Sequence, residues 1–336
     1  AADPLDLVPV RTIGESGHAG LYGWGAATMR DGSVLIGDYW NKRVLRYNTT
    51  AGSLGSPVAP VPFIQNNVWA DGSASHQSPY GLGVDPDNGD VYLADTDRRQ
   101  IDRYDEAGTY IASYGQNGVS SDAPGYFRYP SRVAVFGGRF YVSDTWANRI
   151  VVYSTTGDSV ETVDTVELFS YGSAGSGVGQ FKQPRGLSFD GSGRLYVADH
   201  GNKRIQVLQL SASGDTLEHL YNIGQEFDPE DPSPPPDAVI RGDMRGVAVD
   251  QYNVWVYLVE GVGFGVVLFT TSGTYLFSWG SNGTGDGQFT DGGREVTVDG
   301  VGQVWVGDMP NFRAQVFTSN GDFVMAVPDP AEPPPE

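Results

Sequence analysis

Short runs in which apolar and polar residues alternate follow one another along the whole chain, separated by clusters of Gly, Asn, Asp and Ser. A period of two between turn-forming clusters predicts half-buried strands joined by tight turns. Residues 185–223 show the layout most plainly: 185–190 read as a first strand, 190–193 as a hairpin turn and 195–199 as a second strand. The loop 200–203 leads to a third strand over 204–210, and 217–223 make a fourth. No apolar stripe at helical spacing persists along the chain.

The second strand is the most repetitive element. It recurs as Ser33-Val-Leu-Ile-Gly-Asp38, Asp90-Val-Tyr-Leu-Ala-Asp95, Arg139-Phe-Tyr-Val-Ser-Asp144, Arg194-Leu-Tyr-Val-Ala-Asp199 and Gln303-Val-Trp-Val-Gly-Asp308. A worn copy runs from Val254 to Glu260. The closing acids are 57, 49, 55, 61 and 48 residues apart, a drifting period that suits blades with loops of variable length. Five residues after each acid stand Arg43, Gln100, Arg149, Arg204, Gly265 and Arg313. Four antiparallel strands per unit and six units predict an all-β fold, a six-bladed β-propeller whose radial repetition hides most sheet edges.

The expected blades are 15–64, 65–115, 116–172, 173–224, 238–280 and 281–327, forming one domain over 1–327. Such a ring divides its core among blade interfaces, so the 336 residues need not split into several domains. Residues 7–14 have the form of a fourth strand that helps to close the last blade, and 322–327 have the same form. One terminal strand is then spare, and Phe323, Val324, Met325, Ala326 and Val327 are the candidate for pairing with another molecule. Two Pro-rich acidic stretches, 228–237 and 328–336, stand outside the repeats as an extended loop and tail.

The repeats resemble the NHL family of six-bladed propellers. The likeness rests on Gly179-Gln-Phe-Lys-Gln-Pro-Arg-Gly-Leu-Ser-Phe-Asp190 with Leu195-Tyr-Val-Ala-Asp199 and Asn202-Lys-Arg-Ile-Gln-Val207, and on its copies from Gly125 to Ile150 and from Gly287 to Arg313. The resemblance implies scaffold, binding or, in some relatives, lyase functions. It also implies that the acid and the following Arg, as in Asp38 with Arg43 or Asp199 with Arg204, form a structural ion pair within each blade. Blades two and five, with Gln100 and with Glu260 and Gly265, lack one or both partners.

The net charge is −20, which argues against nucleic acid and anionic membrane surfaces as partners. No run approaches the roughly 18 apolar residues of a membrane span, so no membrane insertion is expected. With no cysteine in the chain, disulfides and thiol chemistry are absent. Residues 1–4 read as the start of a mature chain after signal cleavage, from which a secreted or cell-surface location is expected. Asn48 and Asn282 open Asn-X-Thr sequons.

Propeller ligands sit at the mouth of the central channel. Arg132, Arg185, Arg245 and Arg294 each open an inner strand, with Trp24 and Tyr80 in the matching places of blades one and two. These guanidinium groups either attract an anion or pair with acids on adjacent blades. The second-to-third loops add Tyr39, Trp40, Trp146, His200 and Met309, and aromatics on one face suit a sugar, a peptide or a protein. His18, His76 and His200 fall in loops on that face and offer an alternative zinc site. Residues 85–90 offer calcium an oxygen-rich loop but sit at an ordinary hairpin turn. The expectation is a secreted non-enzymatic binding or scaffold propeller with no cofactor, which binds a protein, itself, a carbohydrate or a peptide. A metal-dependent lyase or hydrolase at the channel and an extracellular sugar or peptide receptor are the alternatives.

Overall fold

A computed structural model describes residues 21, 23–48, 58–62, 78–155, 167–224, 244–250, 253–258, 265–290 and 295–328. Six four-stranded antiparallel sheets follow one another along the chain, each with its strands in sequence order. Their first strands are Gly23–Thr28, Pro79–Val84, Pro130–Phe136, Pro184–Phe189, Met244–Val249 and Val296–Val298. Their fourth strands are Val58–Pro62, Tyr110–Gly115, Glu167–Tyr171, Leu217–Ile223, Tyr275–Trp279 and Phe323–Pro328. The predicted six-bladed propeller is the observed fold.

Six apolar clusters hold the ring together, one at each blade interface. The second-strand aromatic of each of five blades, Tyr92, Tyr141, Tyr196, Trp255 and Trp305, is buried in them. The division of the core into interfaces follows from geometry: a twisted sheet is apolar on both faces only where a neighbour covers each face. Near the axis the inner strands come so close that glycine is required. A Cβ on Gly186 would lie 2.6 Å from the backbone nitrogen of Val247 in the next blade, and one on Gly25 would lie 2.9 Å from the carbonyl oxygen of Tyr80.

Blade six takes all four strands from residues 296–328. The terminal strand expected to be spare, with Phe323 to Val327, is therefore the fourth strand of that blade, and Ala314 faces Val327 in its register. Residues 7–14 lie outside the described residues, as do most of the two Pro-rich stretches. Blades one and six meet side by side: Leu21, Tyr47 and Trp305 share a cluster, and the Thr28 hydroxyl donates to the carbonyl of Val298 at 2.7 Å.

The acid and Arg pairs form in four blades, with Arg Nε to Asp Oδ2 distances of 2.7 Å (Asp38 and Arg43), 3.3 Å (Asp144 and Arg149), 2.9 Å (Asp199 and Arg204) and 2.9 Å (Asp308 and Arg313). They hold loops as well as each other. Asp199 accepts from the backbone nitrogen of Lys182, from Asn202 and from Gln206, while Arg204 donates to the carbonyls of Gly177 and Gln180 in the connector entering the blade. Blade two departs from this pattern, because Gln100 faces Asp95 across the ladder where those four blades place Arg. Glu260 lies outside the described residues.

Candidate functional site

The start of each first strand and the end of each second strand lie on one face of the ring, because the strands are antiparallel and Gly23 faces Asp38, Pro79 faces Asp95 and Pro184 faces Asp199. The residues opening the inner strands and the loops following each Asp therefore surround the same channel mouth. Trp24, Tyr39, Trp40, Tyr80, Arg132, Trp146, Arg185, His200, Arg245 and Met309 all belong to this face. Arg294, His18 and His76 lie outside the described residues.

The mouth has two chemically different halves. Blades one to three carry a continuous aromatic surface. Trp24 stacks on Tyr39 with centroids 4.3 Å apart and meets Tyr80 edge-on at 4.5 Å, while Trp40 meets Tyr39 edge-on at 5.3 Å. Tyr80 meets Tyr129 at 5.6 Å, and Tyr129 stacks on Trp146 at 4.3 Å. At the two ends of the run Trp40 and Trp146 are 43% and 54% exposed, leaving ring faces open to a partner. Lys42 places its ammonium over the Tyr39 ring and donates to Ser78 Oγ at 2.6 Å. Burial and the charge of Asp97 push the Tyr39 hydroxyl up to about 12. Tyr129 is the aromatic that the sequence reading did not single out; its signal is its place before Pro130, matching Ser78 before Pro79 and Gln183 before Pro184.

Blades three to five carry the guanidinium groups, and these behave differently from one another. Arg132 Nε donates to Glu295 Oε2, Nη1 to the carbonyls of Tyr80 and Ser131, each at 2.8 Å, and Nη2 to the carbonyl of Trp24 at 2.8 Å. Both side chains are almost fully buried, 5% and 7% exposed. The expected pairing with an acid on an adjacent blade is corrected here: blades three and six lie opposite each other, so the ion pair crosses the hub. Glu295 reaches it because blade six places it where Gly246 stands in blade five; Val296 faces Val306 as Val247 faces Val256. Arg132 likewise takes the glycine position of blade three, one place further along the strand than Arg185, since Val133 faces Val142 as Leu187 faces Val197. Burial pushes the Glu295 carboxyl up to about 7 against the pull of Arg132. Beyond the pair, toward the first-to-second-strand turns, the channel holds a cavity of about 390 Å³ lined by Val84, Val135, Phe136, Phe189, Val249 and Val298.

Arg185 Nε and Arg245 Nε and Nη1 are buried without a hydrogen-bond partner among the described residues. Burial lowers the pKa of Arg185, and the charges of Arg245 and Arg132 add to that effect while Tyr80 opposes it.

His200 is a strap between blades. Its Nδ1 donates to the carbonyl of Met244 at 2.8 Å, as the hydroxyls of Thr96 and Thr145 at the same repeat position donate to the carbonyls of Pro130 and Pro184. Among the described residues no group of three or more His, Asp or Glu side chains is placed to hold a metal. The 85–90 loop is a hairpin turn whose oxygens serve the protein: Asp85 accepts from the nitrogen of Asp87, Asn88 from that of Asp90, and Asp90 from Arg103 Nε at 2.7 Å.

Comparison with known proteins agrees with this architecture. The sequence profile described as NHL repeat matches residues 127–153 and 181–208. The human NHL repeat-containing protein 3 is 40% identical over 70 residues, 21% of this chain and 19% of the relative, so the chain matches about a fifth of that protein's length. Among solved structures, a chain of the nidogen/laminin complex superposes with a TM-score of 0.58 at 14% identity, covering 87% of this chain and 91% of that one. XC5397 from Xanthomonas campestris, a gluconolactonase, gives 0.55 at 17% identity over 87% and 85%. A catalytically inactive virginiamycin B lyase from Staphylococcus aureus gives 0.51 at 14% over 95% and 86%. At such identities the likeness is one of fold. The chain is a six-bladed propeller that carries NHL repeats over residues 127–153 and 181–208. Among the described residues no helix is long and apolar enough to cross a membrane.

Proposed function

We propose that the protein is a non-enzymatic binding propeller that holds its partner on the channel-mouth face. The observation that carries this reading is the unbroken aromatic run from Trp40 to Trp146, packed at its centre and exposed at both ends. A rigid row of rings offers large contact area at low entropic cost, which is the usual make-up of a binding hot spot. The hub beneath supports the same reading. Arg132 and Glu295 pair across it, and the guanidinium groups of Arg185 and Arg245 make the mouth electrostatically unfavourable for the cation that a metal-dependent lyase or lactonase would need there.

Affinity capture from the medium of the source cells, read by mass spectrometry, tests it. Trp146→Ala and Trp40→Ala are expected to weaken capture of the wild-type partner by about tenfold each, with melting temperatures unchanged because both side chains are exposed. Undiminished capture by the double variant contradicts the assignment of this face.

A further inference from the structure

The two halves of the mouth differ in one respect that the fold alone does not require. The Asp-facing arginines Arg43, Arg149, Arg204 and Arg313 are all paired, and among the inner-strand arginines Arg132 is fully engaged by Glu295 and three carbonyls. Arg185 and Arg245, on neighbouring blades, instead bury nitrogen donors that meet no acceptor among the described residues. Burying donors without acceptors, and two like charges side by side, is costly to a fold. A bound oxyanion removes both costs at once. The planar guanidinium fork matches a carboxylate in two-point contact.

We propose that Arg185 and Arg245 seat the carboxylate of an acidic sugar whose ring lies against the aromatic half of the mouth. This inference rests on the reading of the mouth as the binding face and names its ligand class. Three observations select the class. The net charge of −20 repels extended polyanions, so the anion is a single carboxylate on a largely neutral body. Tyr80 and Tyr129, which meet edge-on at 5.6 Å and lie within electrostatic reach of Arg185, place aromatic surface and hydroxyl groups beside the seat, a combination that suits the C–H face and hydroxyls of a pyranose. Peptide capture by strand addition needs an open sheet edge, and the fourth strands that offer one lie on the outer rim.

The test is a thermal-shift and calorimetric titration of the full chain with glucuronate, with glucose, acetate and hippurate as the neutral-sugar, anion-only and peptide-carboxylate arms. Glucuronate is expected to raise the melting temperature of the wild type by about 2 °C or more at saturation, while glucose and acetate leave it unchanged. In Arg185→Met and Arg245→Met the affinity should fall by about tenfold or more, and the free variants should melt higher than the wild type, since each loses buried donors that meet no acceptor among the described residues. A lower melting temperature in both variants assigns the arginines a structural role and overturns the proposal. Equal binding of acetate, or binding of hippurate in preference to glucuronate, overturns the sugar assignment. Absence of any glucuronate binding removes the seat, and if the Trp146 variant still loses its captured partner the mouth remains the binding face without it.

Discussion

Glu295→Ala is expected to destabilise the ring by about 3–5 kcal/mol, read as a lowered midpoint in urea unfolding. The variant leaves the Arg132 guanidinium buried at the hub with its three carbonyl acceptors but without the carboxylate that balances its charge. Arg132→Met alone should cost a similar amount, because Glu295 is then buried and unpaired and the carbonyls of Tyr80 and Trp24 lose their donor. The double variant Arg132→Met with Glu295→Met should recover much of the loss, since replacing a buried ion pair by apolar groups is often near neutral. Additive losses in the double variant would show that the two residues do not act as a pair.

Asp199→Ala and Asp95→Asn should change stability in opposite directions although both remove the same repeat acid. In blade four the carboxylate serves Arg204, Asn202, Gln206 and the backbone of Lys182, so its loss strands buried donors at a cost of about 3–5 kcal/mol. Blade two has Gln100 in place of the Arg, and at the position where blades four and six place Gln206 and Gln315 it has a second acid, Asp102. Asp95 Oδ2 and Gln100 Oε1 are both buried without a partner among the described residues. Burial first and the charge of Asp102 second push the Asp95 carboxyl up to about 8. A carboxyl raised on folding binds its proton more tightly in the native state. Its favourable contribution is complete below the unfolded value near 4 and is lost as pH rises through 8. Asp95→Asn removes that loss and supplies a donor, so it should stabilise the protein by about 1–3 kcal/mol at pH 8 and by little at pH 4. Unfolding midpoints of wild type and variant across pH 4–9 check it; parallel curves contradict it.

The blades were legible because each repeats a strand ending in an acid, and repetition makes a weak local signal strong. The ion pairs within blades followed from the same spacing, since five residues carry the chain around one hairpin and back to the facing position. What crosses the ring was not legible. Arg132 and Glu295 are 163 residues apart and belong to opposite blades, and each stands one place past the visible arginine pattern, where most blades have glycine. The role of His200 was hidden for a different reason: it aligns with Thr96 and Thr145, so its ring takes the part of a hydroxyl, which residue type alone does not suggest. Tyr129 went unmarked because it precedes the strand, outside the positions that the repeat keeps most alike. The terminal strand was miscounted as spare because two segments share one pattern, and only the register of blade six assigns its fourth place to Phe323–Pro328.

The claim that partners are held at the channel mouth is tested most directly by placing a photo-crosslinking residue at one position per surface. Met309 stands for the mouth, Ser192 for the opposite turns and Leu276, 43% exposed on a fourth strand, for the outer rim. Illumination in the native medium should give a discrete adduct from the Met309 site and none from the other two. Adducts from Leu276 or Ser192, with none from Met309, would place the binding surface elsewhere on the ring and contradict the account.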